Sequence, residues 1–373
     1  MMRDSRSLAL GAVLVATLVV TGCGPTGLRA QESVTFGVLV PLTSGVPSAA
    51  RAAQQGAQLA ADEVGGERSA PTVSLLVEDD RGSPEVASRL FAQFAERDVS
   101  AVVGPLTDLA AAAVAPAAER AGIALVTPGA TGTIPYSGSS VFRTSLPAQS
   151  QARVLAEYVV RVRRLKTITV IHEGNDYGTM TAMAFAQRVA DLGGEIVGTR
   201  IYRDGDTDFT RYATGAVGDG AEAVFIAGYP DEGARIIVTL RERGFRGLMI
   251  GSDALYSRDL VEWARDAAHG LLLPAAFVAG DPLPRVQEFV GRYTRRYGQT
   301  PDHFAAQAYD AVKVLAFAVR RSGRSAQAIR GALQGVRRFP GATGEITFDR
   351  FGAPDRPVAV AQVKAGAFEV VRR

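Results

Sequence analysis

The chain has 373 residues, 47% of them apolar and 21% charged, a balance that builds a buried core and excludes an intrinsically disordered chain. Its 41 Lys and Arg against 38 Asp and Glu leave a net charge of +3, and the densest basic run, Arg161-Val162-Arg163-Arg164, is too short for the positive stripe that a nucleic-acid partner needs. One cysteine, Cys23, and three scattered histidines, His172, His269 and His303, offer no thiolate cluster and no His spacing of the kind that holds a metal, so neither metal nor cofactor is expected.

In chain order, Arg3 and Arg6 precede an uncharged apolar run, Leu8 to Val20, that ends at Thr21-Gly22-Cys23. A bilayer-spanning helix needs about 20 apolar residues. This run is shorter and closes on small residues, so it reads as a cleaved secretory leader over residues 1–22. Val20-Thr21-Gly22-Cys23 resembles the bacterial lipobox, which implies that Cys23 is acylated, becomes the first mature residue and ties the protein to a membrane through a tether over residues 23–33. An ordinary leader with an incidental cysteine is the other reading.

About 350 residues remain after cleavage, enough for two domains of ordinary size. Val34 to Val40 reads as a strand, Ala49 to Val64 as a helix, and Val73 to Val77 as the next strand. Ser83-Pro84-Glu85 then carries the marks of a helix start: a capping hydroxyl, a proline in the first turn and an acid near the positive end of the dipole. Strand-like runs continue at Ala101 to Gly104, Ile123 to Val126, Thr167 to Ile171, Glu195 to Tyr202, Ala223 to Ala227 and Leu248 to Ile250. Such alternation predicts parallel sheets with helices on both faces. The class is α/β, with two doubly wound domains joined by three crossover segments, near Phe142 to Pro147, Leu271 to Phe277 and Gly341 to Ala353. These divide the mature chain into one lobe of residues 34–145 and 275–345 and another of 146–274 and 346–373.

Ligands of open parallel sheets bind beyond the carboxyl ends of the strands, so the residues that follow each strand are the candidates. They are Pro105-Leu106-Thr107-Asp108, Thr127 to Thr131, His172 to Gly178, Gly228 to Glu232 and Gly251-Ser252-Asp253. These loops carry hydroxyls, rings and carboxylates, interleaved with glycines that let a ligand approach the backbone.

The pieces "VLVPLTSG", "VEDDRGSPEVA", "VVGPLTD", "GIALVTPGAT", "VIHEGNDYG", "FIAGYPDEG", "MIGSDAL" and "GATGEITFDRFG" stand in the order found in the branched-chain amino-acid binding proteins of bacterial ABC importers, and nearly the whole mature chain resembles that family. The resemblance implies the type I periplasmic-binding fold, an extracytoplasmic location, ABC permease subunits as partners and a small ligand between the lobes. Carried over residue by residue, it implies that Gly129 and Ala130 offer backbone groups, Thr131 its hydroxyl and N–H, Tyr177 and Tyr229 cleft rings, and Asp253 an anion for a ligand ammonium, with Thr107 and Asp108 beside them. A zwitterion leaving water needs donors for its carboxylate and an acceptor for its ammonium, and this set supplies both. Plainer structural roles compete at each position: a turn cap for Asp253, rim aromatics for the tyrosines, loop geometry for Thr131, core packing for Phe304.

Two departures bear on the ligand. The stretch Gly45 to Arg51 is small where the family often carries a reaching side chain, and Asp108 stands where amino-acid binders commonly have a hydroxyl. Asp108 either caps the alanine-rich helix that follows or faces the cleft and selects against a carboxylate there. No nucleophile elbow, phosphate loop or catalytic cluster is present in the sequence, so an enzyme is not expected. A sensing module that delivers its ligand to a membrane receptor, or a binder of an amide or carboxylate instead of an amino acid, is the alternative.

Overall fold

Each lobe is organised by one sheet, and each sheet by how its helices cover it. The computed structural model describes residues 33–67 and 71–372, so the leader, Cys23 and the tether lie outside the described residues. The chain begins with β1 (Ser33–Val40), α1 (Pro47–Gly66), β2 (Thr72–Asp79), α2 (Pro84–Glu96), β3 (Ala101–Val103), α3 (Asp108–Ala121), β4 (Ala124–Thr127) and β5 (Val141–Arg143). These strands form a parallel five-stranded sheet in the order β2-β1-β3-β4-β5. Ser83 does cap α2, its hydroxyl accepting from the Val86 N–H at 3.3 Å.

The chain then crosses to the second sheet through α4 (Ala148–Glu157), β6 (Thr167–Glu173), α5 (Asp176–Asp191), β7 (Glu195–Tyr202), α6 (Thr210–Gly218), β8 (Ala223–Ala227), α7 (Pro230–Glu242), β9 (Leu248–Gly251), α8 (Arg258–Ala264) and β10 (Leu272–Ala275). The second crossing thus starts later than expected, because Leu272 to Ala275 first completes a strand paired with β9. Helices α9 (Pro284–Tyr297), α10 (His303–Ser322) and α11 (Ala326–Gln334) return to the first sheet, and a hairpin of β11 (Phe339–Gly341) and β12 (Gly344–Ile346) precedes the third crossing. Finally β13 (Ala359–Lys364) and β14 (Ala367–Arg372) join the second sheet antiparallel, in the order β14-β13-β10-β9-β8-β6-β7.

Covering both faces explains the continuous apolar runs of the central strands, such as the fully buried Ala223-Val224-Phe225-Ile226-Ala227. Helices α1, α9, α10 and α11 pack one face of the first sheet and α2 and α3 the other; α6, α7 and α8 pack one face of the second sheet and α4 and α5 the other. Helix α1 approaches α10 so closely at Gly56 that a Cβ there would lie 2.0 Å from the Ala305 carbonyl oxygen. Only glycine fits.

The first and third crossings are tied to α10 by a buried polar knot. Thr144 donates to the Gln307 carbonyl at 2.8 Å, while Asp310 accepts from the Ala342 N–H at 2.6 Å and from the N–H and hydroxyl of Thr343 at 2.9 and 2.5 Å. Arg356 closes it by donating to the carbonyls of Thr343 at 2.5 Å and Thr144 at 2.9 Å. Burial pulls the Arg356 guanidinium down to about 10, opposed by Asp310, and pushes the Asp310 carboxyl up, opposed by its hydrogen bonds.

Candidate functional site

The carboxyl ends of the two sheets face a shared cavity of about 40 Å³ lined by Val46, Leu106, Thr107, Asp108, Gly129, Tyr177, Tyr229, Asp253, Ala254 and Phe304. The first sheet contributes the loops after β3 and β4, the second those after β6, β8 and β9, and Val46 and Phe304 come from the starts of α1 and α10. Six of the eight expected ligand residues meet there. Of the others, Ala130 is buried in the core beside α3, with its carbonyl accepting from the Ser145 hydroxyl at 2.5 Å, and Thr131 lines a separate cavity. Val46 and Ala254 lie outside the loops singled out from the sequence, since apolar side chains carry no chemical mark there; Leu106 is within the loop expected after β3. Phe304, whose expected alternative was core packing, reaches the cavity wall.

Local capping explains how the tyrosines are held. The Asn175 side chain accepts from the Gly178 N–H at 2.8 Å and starts α5, which fixes Tyr177 in its first turn. Tyr229 stands at the N-cap position of α7 with Pro230 next to it, and its ring stacks on that of Tyr177 at a centroid separation of 5.3 Å. The Tyr177 hydroxyl donates to Asp253 Oδ1 at 2.7 Å and accepts from the Ala254 N–H at 3.2 Å. Gln151 of α4 donates to Asp253 Oδ2 at 3.0 Å and to the Leu146 carbonyl at 2.8 Å. Burial raises the Asp253 carboxyl despite these donors, and it raises the Tyr177 hydroxyl well above its ordinary value, with the Asp253 charge adding to the rise.

Asp108 takes neither of the roles expected of it alone. Thr107 occupies the N-cap position of α3, and Asp108 is the first helical residue. Its Oδ1 accepts instead from the N–H groups of Thr131 and Gly132, at 2.8 and 2.9 Å, while the side chain also lines the cavity. The Thr131 N–H, which the family resemblance assigns to a ligand, is therefore held by a side chain of the protein. Burial raises the Asp108 carboxyl, the two N–H groups and Arg143 oppose the rise, and Asp253 adds to it. The terminal nitrogens of Arg143 donate to the Gly132 carbonyl at 2.8 Å and the Ser137 hydroxyl at 3.3 Å, while its buried Nε has no hydrogen-bond partner.

The field in the cavity is consequently acidic. Burial lifts the Tyr229 hydroxyl above its ordinary value, and Glu173, Asp108 and Asp253 lift it further. Glu173 itself, at the end of β6, is pushed up to about 7 by burial and by the nearby charges of Glu232 and Asp204. Two buried polar atoms at the site, Thr107 Oγ1 and Gln151 Oε1, have no hydrogen-bond partner. Such atoms cost free energy unless something pairs with them.

Residues 33–367 match the family described as periplasmic binding protein. Leu/Ile/Val-binding protein homolog 3 of Brucella melitensis is 28% identical over 334 residues, which are 88% of this chain and 90% of that one. Leu/Ile/Val-binding protein BraC3 of Rhizobium johnstonii is 28% identical over 352 residues, 92% and 93% of the two chains. Among solved structures, the branched-chain amino acid transporter substrate binding protein LivJ of Streptococcus pneumoniae, in complex with isoleucine, matches with a TM-score of 0.83 at 26% identity over 92% of this chain and all of that one, 100%. The leucine binding protein LivK of Thermotoga maritima gives a TM-score of 0.82 at 27% identity over 90% of this chain and 97% of its own. The two-sheet α/β fold expected from the sequence is the fold of these neighbours.

Proposed function

The chain belongs to the periplasmic binding protein family, and we propose that it is the extracytoplasmic solute-binding component of an ABC importer, holding a small polar solute, an amino acid or amino-acid derivative, between its lobes. The observation that carries this reading is the buried cavity at the carboxyl ends of both sheets, where an anion, Asp253, is backed by Tyr177 and Gln151 and roofed by stacked tyrosines. A cationic group that leaves water needs such an acceptor, and an aromatic wall adds cation–π attraction of about 0.5 to 2 kcal/mol. Because each lobe supplies only part of the lining, a solute bound to one lobe stays partly hydrated. Contacts from both lobes therefore favour the closed arrangement, which the permease subunits can distinguish from the open one.

The reading includes acylation of Cys23, which would keep the protein at the membrane next to its permease. A thermal-shift screen of amino acids, their amides, amines and small carboxylates tests the function. A rise in melting temperature with one chemical class supports it, and no response to any class refutes it. Intact-mass analysis of protein extracted from native membranes tests the anchor: a chain starting at Cys23 with added acyl mass is expected, and an unmodified Cys23 refutes it.

A further inference from the structure

The two polar ends of the cavity differ in what they leave for a solute. At the second sheet's end, Asp253 offers an oriented anion. At the first sheet's end, the N–H groups of Thr131 and Gly132 would be the natural donors to a ligand anion, but both are engaged by Asp108. What the cavity meets there is the Asp108 carboxylate and Thr107, whose hydroxyl oxygen is buried without a partner. Arg143 donates from its two terminal nitrogens to Gly132 and Ser137 and is not among the residues that line this cavity.

A ligand carboxylate only accepts hydrogen bonds. Placed against Asp108 it would find a like charge, with the N–H groups of Thr131 and Gly132 held by that carboxylate. A carboxamide presents two N–H donors and one carbonyl, which match an accepting carboxylate and a hydroxyl that can donate. We propose, on the footing of the solute-binding reading above, that the solute carries an N–H donor and no free carboxylate at the end facing Asp108, so that it is a carboxamide or amine derivative of an amino acid and not the zwitterion. Asp108 thereby acts as a specificity residue: it sets a carboxylate at this end of the cavity and holds the N–H groups of Thr131 and Gly132 to itself.

Matched pairs test this without altering the protein. Titration calorimetry with leucine against leucinamide, and phenylalanine against phenylalaninamide, should show the amide of a pair binding at least tenfold more tightly. Asp108→Asn keeps the shape and an oxygen that can accept from the two loop N–H groups, yet turns an N–H donor toward the cavity, so the preference should swing at least tenfold toward the acid. Wild-type protein that binds the free acid as tightly as the amide, or more tightly, overturns the proposal while leaving the solute-binding reading intact. Silence of every solute in the screen overturns that reading and the proposal with it, so the binding of the free acids tells the two failures apart.

Discussion

The Tyr177 hydroxyl and the Asp253 carboxylate, from the segments just after β6 and β9, stand 2.7 Å apart, and the same hydroxyl accepts from the Ala254 N–H. Its proton is thereby aimed at Asp253, and with Gln151 on the second oxygen the carboxylate is fixed before any solute arrives. Preorganisation of this kind lowers the ordering cost of binding.

Asp253→Asn retains the size of the side chain and removes its charge, so binding of a solute ammonium should weaken by about 2 to 5 kcal/mol, the range for breaking a desolvated charge pair. Tyr177→Phe keeps the ring stacked on Tyr229 but withdraws one donor from Asp253 and one acceptor from Ala254, for an expected loss of about 1 to 2 kcal/mol. Titration calorimetry of both variants with the solute returned by the screen reads these values. Equal affinity of Asp253→Asn and wild type would reduce Asp253 to a turn residue.

The knot around Asp310 and Arg356 carries a stability prediction that is separate from binding. Arg356→Met would leave the Asp310 carboxylate buried without its compensating cation, at a cost of about 3 kcal/mol, seen as a melting temperature lower by several degrees. Arg356→Lys keeps the charge but lacks the planar fork that reaches both Thr343 and Thr144, so it should fall between wild type and Met. Adding Asp310→Asn to Arg356→Met should recover part of the loss, because the uncompensated charge is then gone. A double variant no more stable than the single one would mean that the two charges do not couple.

Much of this architecture was legible in the sequence, for a physical reason. Strands covered on both faces must be apolar along their whole length, so β1, β8 and β9 announce themselves, and the residues after them have their place in space fixed by the strand end. That is why Thr107, Asp108, Gly129, Tyr177, Tyr229 and Asp253 could be assigned to one edge before any coordinates. Pairings between distant segments left no local signature. Gln151 and Asp253 meet across 102 positions, and Asp108 reaches the Thr131 N–H across 23, so neither bond could be read from neighbouring residues. The resemblance to a family compounded the second omission, since it assigned the Thr131 N–H to a ligand, whereas here Asp108 accepts from it.

Closure should respond to pH through the residues that join the lobes beside the cavity. Ser48 at the start of α1 donates to Asp259 of α8 at 2.9 Å, and the Tyr256 ring meets the His303 ring edge-on at 5.6 Å. Asp302 caps α10 by accepting from the Ala305 N–H at 2.9 Å, and burial pushes its carboxyl up to about 7, with Asp259 adding to the rise. Opening of the lobes would carry Asp259 away from Asp302 and expose that carboxyl to water. A carboxyl whose pKa is raised in the closed form prefers its proton there, so its contribution to closure is complete below 3.8 and is lost as the pH rises through about 7. Burial pulls His303 down to about 4 from 6.5, so its contribution holds above that ordinary value and fails only toward acid. From about pH 6.5 to 8, Asp302 loses its proton in the closed form while His303 finishes losing its own in the open form, so the affinity of wild type relative to Asp302→Asn should fall about fourfold for a solute that keeps its own charge over that range. Asp302→Asn remains a good helix cap but has no proton to lose, so its own affinity should show only the rise of about twofold that His303 gives. A wild type whose pH dependence matches that of the variant would show that Asp302 is no more buried in the closed form than in the open one.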